Sequence, residues 1–224
     1  MKDKKGKRQR KKQWSKNEED AEVAFWNPWS YSNERHQYCK SLGTDILGLG
    51  ELHGVQCKDQ FQGRTWICSQ EAEIKNGKCT DPAAGVAILL SDRMVKKVLS
   101  SGCVGSRIVW VRIAGPICNL FVIVVYIPHK GRTNPSALDT IEKMKELSST
   151  IGKFDCVTLM IDFNCQLRRN VQGCTGRWCM TTRPDNGHGE IVLDLLRSHD
   201  LCAADTYFKS ERKTWGTSNK KRDK

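Results

Sequence analysis

Four stretches of the chain, AAGVAILLS (83–91), SRIVWVRIA (106–114), NLFVIVVYIP (119–128) and CVTLMI (156–161), carry nearly unbroken runs of aliphatic and β-branched residues. A strand with one wet face alternates apolar and polar positions, whereas these runs do not. The first three read as central strands covered on both faces and the fourth as a fully apolar strand. Such strands need layers above and below them, and the chain supplies candidates. From Pro135 to Ile151, apolar residues recur at Leu138, Ile141, Met144, Leu147 and Ile151 with charges between them, the pattern of an amphipathic helix. Glu190 to His199 repeats that spacing through Ile191, Leu195 and Leu196. VAFWNPW (23–29) and TDILGLGEL (44–52) read as shorter strands, and the two glycines of the second predict a close backbone approach or a loop. Asn33 to Ser41 is polar and helix-compatible, 55–82 is mixed with a turn signal at Asn76-Gly77, 165–188 reads as a long loop, and LCAADTYF (201–208) as a strand. Strands and helices interleave, so the expected class is a layered α/β protein. At 224 residues the chain can build one sizeable core or two small ones, and it has no internal repeat.

The net charge of +12 suggests a polyanion partner until it is located along the chain. Residues 1–20 hold nine Lys and Arg against four Asp and Glu, and residues 209–224 hold seven against two, so each end carries +5 and the centre only +2. A tail such as KKGKRQRKK stays extended by self-repulsion and attracts nucleic acid or serves as a nuclear address; the plainer reading is a solvated, solubilising tail. The longest apolar run, Leu120 to Ile127, has eight residues, too short to span a membrane, and no apolar segment follows the basic start. The expectation is an intracellular protein, directed to the nucleus, not secreted and without a membrane partner. Eleven cysteines with no CxxC are expected to be reduced thiols packed as small apolar residues. Cys165, Cys174, Cys179 and His188 form a candidate zinc cluster, but their spacing matches no regular zinc framework.

Polar residues at the ends of buried strands collect at one rim of a sheet, where chemistry usually sits. Four ends qualify: Asn27, Glu51, Tyr126 with His129, and Asp162 with Asn164. One acid at a strand end is commonly a cap or a surface charge. Two carboxylates and an amide oxygen brought together repel unless a hard cation sits between them, and oxygen ligands suit Mg2+ or Mn2+. A tyrosine hydroxyl and a histidine nearby could donate to the oxygens of a phosphate, an arrangement suited to attack of water on a phosphoester.

FWNPW, LGLGELHG, GVAILLS, YIPHKGR, IDFN, NGHGEIVLDLL and KTW, in that order, resemble the endonuclease/exonuclease/phosphatase superfamily, with its DNase I-like fold. The flavour is that of the apurinic-type endonuclease domain of non-LTR (LINE-like) retrotransposons. The resemblance runs from about residue 22 to 216, and it is the order of seven motifs that is specific, since each alone is short. It implies an α/β sandwich of two packed mixed sheets flanked by helices, a basic disordered tail over 1–21, a domain over 22–208 and a basic tail or remnant over 209–224. It further implies a monomeric, divalent-metal-dependent phosphodiester hydrolase, using Mg2+ (or Mn2+) on nucleic acid, DNA rather than RNA. Carried over by position, Glu51 is similar to the metal-binding glutamate and Asn27 to the asparagine beside it. Tyr126 resembles the tyrosine that contacts the scissile phosphate, and His129 follows as in the retroelement variety. Asp162 is similar to the aspartate that orients the attacking water, Asn164 to the asparagine on a phosphate oxygen, and Asn186 to a backbone-contacting residue.

Two departures accompany the resemblance. Ile161 stands where the family has glycine before DFN, tolerable if the backbone there needs no positive φ. The family's late (I/L)DY-like strand and Asp-His pair have no counterpart before the sequence ends at GTSNKKRDK, and Ser198-His199-Asp200, on the end of a predicted helix, does not replace them. The expected fold is therefore C-terminally incomplete. Two alternatives follow: a catalytically inactive nucleic-acid-binding module that relies on its basic tails, and a phosphatase acting on a phospholipid or inositol phosphate.

Overall fold

The computed structural model describes residues 20–28, 33–53, 64–70, 74–75, 78–79, 81, 83–128, 135–179 and 188–209. Residues 1–19 and 210–224, the latter with the Thr214-Trp215 motif, lie outside them, as do the Asn76-Gly77 turn, His129 and Asn186. Among the described residues the order is β1 (Val23–Trp26), α1 (Asn33–Ser41), β2 (Ile46–Leu49), β3 (Arg64–Cys68), β4 (Ile74–Lys75), β5 (Lys78–Cys79), β6 (Ala87–Ser91), α2 (Asp92–Val95), β7 (Val98–Val104), β8 (Ile108–Ile113), β9 (Asn119–Tyr126), α3 (Pro135–Ser148), β10 (Asp155–Asp162) and α4 (Gly189–Ser198). A 3-10 turn, Ala204–Tyr207, follows.

Two mixed four-stranded sheets carry the structure, one ordered β1-β2-β6-β3 and the other β10-β9-β8-β7, with β4-β5 a separate two-stranded sheet. Their inner faces meet in a core built from Ile46, Ile88, Leu90, Val109, Val111, Val122, Val124 and Met160. The outer face of the second sheet is covered by Ala137, Ile141, Met144 and Leu147 of α3 and Leu195 of α4. Cys39 of α1 packs beside Leu47, Leu49, Trp66 and Leu89 on the outer face of the first. This layering explains the unbroken apolar runs: Val109 and Val111 of β8 face the other sheet, while Ile108 faces the helices. No helix among the described residues is long and apolar enough to cross a membrane.

The sheets approach closely at one position. A Cβ on Gly48 would lie 2.5 Å from Met160 Sδ and 2.8 Å from Val124 Cγ2, so the bare backbone of β2 is what lets β9 and β10 come near. That is the close approach predicted from the glycines of TDILGLGEL. Two buried or part-buried carboxylates pin the strand starts. Asp45, before β2, takes the Arg93 guanidinium (Nε to Oδ1 2.7 Å), the Ser91 hydroxyl at 3.0 Å and the Glu22 amide at 3.0 Å. Asp155 opens β10 with a two-pronged pair to Arg112 (2.8 and 2.7 Å), the Gly152 amide at 2.7 Å and the Asn119 amide group at 3.2 Å.

Several expectations are corrected. LCAADTYF is not a strand: Thr206 donates its hydroxyl to the Ala203 carbonyl at 2.6 Å and accepts the Gly176 amide at 2.7 Å, a side-chain alternative to a ladder that closes the 3-10 turn. Only an isolated parallel bridge, Thr175 to Ala203, remains of it. The predicted helix over Pro135–Ile151 stops at Ser148, because Ser148, Ser149 and Thr150 turn their hydroxyls back onto the carbonyls of Lys145, Glu146 and Leu147. β3 and β7 carry no apolar run and escape the sequence reading; β7 is an edge strand with exposed residues in its middle. No group of three or more His, Cys, Asp or Glu side chains that could hold a metal ion occurs among the described residues, and Cys174 packs with Val192, Leu193 and Leu196 of α4.

Gly48→Ala is expected to lower stability by about 1–3 kcal/mol, since Val124 in mid-strand cannot yield, which a urea unfolding midpoint measures. Acid provides a second expectation. The Arg93 hydrogen bonds outweigh the burial cost and hold Asp45 well below the usual carboxylate range. Its stabilising contribution is complete above the unfolded value near ~4 and is lost as pH falls through the depressed one. The loss of stability on acidification below about pH 4 should therefore be smaller in Asp45→Asn than in the parent chain.

Candidate active site

Both sheets contain one parallel pair, and both pairs end at the same rim. β1 and β2 run in parallel register from Val23↔Ile46 to Trp26↔Leu49, so Asn27 and Glu51 leave neighbouring strands together. β9 and β10 run parallel from Asn119↔Asp155 to Tyr126↔Asp162, so Tyr126 and Asp162 are direct neighbours on the other sheet. Since β1 also touches β10, the two pairs of strand ends meet.

They meet through Asn27. Its side-chain amide donates to Glu51 Oε2 at 2.9 Å and to Asp162 Oδ2 at 2.7 Å, so one neutral group bridges two carboxylates from different sheets. Asp162 is held from below as well: the Asn164 backbone amide donates to Oδ1 at 3.1 Å, and the Asn164 side chain donates to the Ile127 carbonyl at 2.8 Å, tying the ends of β9 and β10 together. Tyr126 is 3% exposed. Burial, with the negative charges of Glu51 and Asp162 beside it and a hydrogen bond to Glu51, pushes the phenol far above its ordinary range and keeps it protonated. The Arg107 guanidinium, 5.2 Å from the ring centre, opposes that shift and is itself paired with Asp81.

Of the seven residues singled out in the sequence, five converge: Asn27, Glu51, Tyr126, Asp162 and Asn164. His129 and Asn186 lie outside the described residues. Ile161 pairs with Val125 in regular strand and is not among the positive-φ residues, so the backbone at this position does not require glycine. The left-handed positions are elsewhere. Glu51 has φ 53° and Asn164 φ 46°, which puts two of the five site residues in conformations that side chains with a Cβ rarely adopt. Two further residues stand beside the five: His53, which the sequence offers at best as a phosphate contact and whose Nε2 lies 3.4 Å from Glu51 Oε1, and Arg107, which the sequence reading missed. His53 had a signal in its place two residues after Glu51; Arg107 had none, because its partners Asp81 and Tyr126 belong to other segments.

The arrangement is anionic, rich in oxygen and partly open, the Glu51 side chain being 16% exposed. Two carboxylates from opposite sheets with an amide between them suit a hard cation that keeps most of its own waters, as Mg2+ does. Nitrogen and sulfur ligands, which a softer metal would want, are absent from this group among the described residues, apart from His53 at its edge.

Comparison with known proteins agrees with this architecture. No family model matches the chain. "Craniofacial development protein 2" of Tragulus javanicus is 23% identical over 203 residues, covering 86% of this chain and 34% of the relative, and that of Bos taurus is 23% identical with 86% and 33% covered. The chain thus spans about a third of the length of the curated relatives it matches. Among solved structures, the endonuclease domain of TRAS1, a telomere-specific non-LTR retrotransposon, superposes with a TM-score of 0.52 at 15% identity, over 80% of this chain and 71% of that one. Identity at that level speaks for the fold.

The strained backbone of Glu51 yields a direct expectation. Glu51→Gly should be more stable than Glu51→Ala by about 1 kcal/mol, since both lose the carboxylate and only alanine keeps a Cβ in the left-handed region; thermal or urea unfolding of the two variants measures it.

Proposed function

We propose that this chain, which has the layered two-sheet fold of the endonuclease/exonuclease/phosphatase superfamily, is a divalent-metal-dependent phosphodiester hydrolase acting on nucleic acid. The observation that carries the reading is the bridge of Asn27 to both Glu51 and Asp162, two carboxylates that the chain separates widely and the fold brings within one side chain of each other. A Mg2+ or Mn2+ ion, held by the Glu51 carboxylate with Asn27 beside it, would supply Lewis-acid stabilisation of charge building on the phosphate oxygens.

The protein's own groups do the rest. Asp162, its orientation fixed by the Asn27 side chain and the Asn164 backbone, accepts a hydrogen bond from the attacking water and aims it at phosphorus. Tyr126 stays protonated because it is buried beside two carboxylates, so its hydroxyl remains a donor for a phosphate oxygen, and Arg107 holds the ring from behind. His53 steadies the second oxygen of Glu51. Asn164 keeps the two strand ends in register, a positioning role that its hydrogen bond to Ile127 supports. The basic ends, +5 each, favour a nucleic-acid substrate over a small phosphate ester through nonspecific attraction to a polyanion. DNA as the preferred substrate rests on the retroelement-like motifs.

Purified protein with Mg2+ is expected to nick supercoiled plasmid, and EDTA to stop it. Asp162→Ala and Glu51→Gly should each lower the rate at least ~100-fold, by analogy with the loss of one positioned transition-state group. Nicking that survives both substitutions sinks the reading. Binding without nicking under any divalent metal would favour a module without turnover.

A further inference from the structure

A second surface lies along the loop that leaves β10 immediately after Asn164. Residues 165–179 are tied to the segment after α4 by the Thr175–Ala203 bridge, by Ala203 N–H to the Cys174 carbonyl at 2.8 Å, by Gly176 N–H to Thr206 Oγ1 at 2.7 Å and by Trp178 N–H to the Thr206 carbonyl at 2.9 Å. Packing is close enough that a Cβ on Gly176 would lie 2.5 Å from the Thr206 carbonyl oxygen. On this rigid base the chain exposes aromatic rings: Trp178 is 37% exposed, Tyr207 44% and Phe208 71%. The Arg177 guanidinium sits 4.9 Å and the Lys209 ammonium 5.8 Å from the Trp178 ring centre. An open cleft of about 430 Å³ lies between the 170–177 loop and Tyr207. Lys209 also begins the basic 209–224 stretch.

Exposed large rings cost solvation unless something covers them, and cations alone do not explain three rings turned outward. Flat apolar faces interleaved with positive charge match one partner chemistry well: unpaired nucleobases, which stack, joined by phosphates, which are attracted. Duplex nucleic acid hides its base faces and has no use for the rings. We propose that Trp178, Tyr207, Arg177 and Lys209 form a stacking platform for a single-stranded stretch of nucleic acid. The proposal deepens the hydrolase reading, on which its substrate class rests, by making the substrate one that offers unpaired bases. The binding itself stands without turnover.

Affinity of the full chain for labelled single-stranded DNA and for the same sequence as duplex, read by fluorescence anisotropy in EDTA, tests it. Trp178→Ala should weaken single-strand binding about tenfold and duplex binding by less than about twofold. Trp178→Phe should restore most of the loss. Arg177→Gln and Lys209→Gln should each flatten the salt dependence by about one counter-ion on single strands, a slope that Trp178→Ala leaves unchanged. Unchanged single-strand affinity in Trp178→Ala overturns the platform and assigns the rings to a protein partner, and an equal loss on single strand and duplex overturns it in favour of general charge. If Trp178→Ala fails to keep the parent unfolding midpoint, Tyr207→Ala decides by the same two ratios. A chain that binds as expected yet never nicks with metal fails the hydrolase reading alone, whereas one that nicks while Trp178→Ala binds like the parent fails only the platform.

Discussion

The bare backbone at Gly48 sets the distance between the two sheets, and the site depends on that distance. Where β2 crosses β9 and β10, no side chain stands between Gly48 and Met160 or Val124, so the first sheet settles against the second. Glu51 follows three residues later, at the end where Tyr126 and Asp162 leave the second sheet. A wider gap filled by a larger residue would separate Asn27 from Asp162, and an amide spanning 2.7 Å has no slack to follow. Packing in the core and geometry at the rim are in this sense one constraint. Interiors this dense pass a displacement on and do not absorb it.

Two parallel strand pairs give the rim its composition. In a parallel pair neighbouring strands end on the same side, so β1 with β2 and β9 with β10 each deliver two polar residues to one place. The result concentrates negative charge: Glu51 and Asp162 share a neutral donor, Tyr126 is kept protonated beneath them, and Arg107 is committed to Asp81 behind the ring. Two of the side-chain bearers, Glu51 and Asn164, also occupy left-handed backbone. Negative charge and backbone strain are thus collected at a single rim, as functional sites tend to collect them.

Much of this was legible in the linear chain. The runs at 83–91, 106–114, 119–128 and 156–161 became β6, β8, β9 and β10 because strands covered on both faces carry their signal in every residue. The helix at Asn33–Ser41 and the later amphipathic helices were equally readable. β7 was not, since a half-wet edge such as VLSSGCV looks like loop. LCAADTYF misled because the hydroxyl of Thr206 had a partner, the Gly176 amide, that no local pattern announces. The same holds for Arg107, whose contacts to Asp81 and Tyr126 join three segments with no common spacing.

The sequence by itself determined which residues could do chemistry: polar side chains at the ends of buried strands, in an order resembling one superfamily, with its apolar runs demanding layers on both sides. Their meeting was decided only by the tertiary structure. Strand ends are defined by local pattern, but the distance between Asn27 and Asp162 depends on sheet pairing, on the parallel register of two strand pairs and on a glycine with no side chain at the contact. Those are properties of surfaces in contact, which no window of neighbouring residues contains.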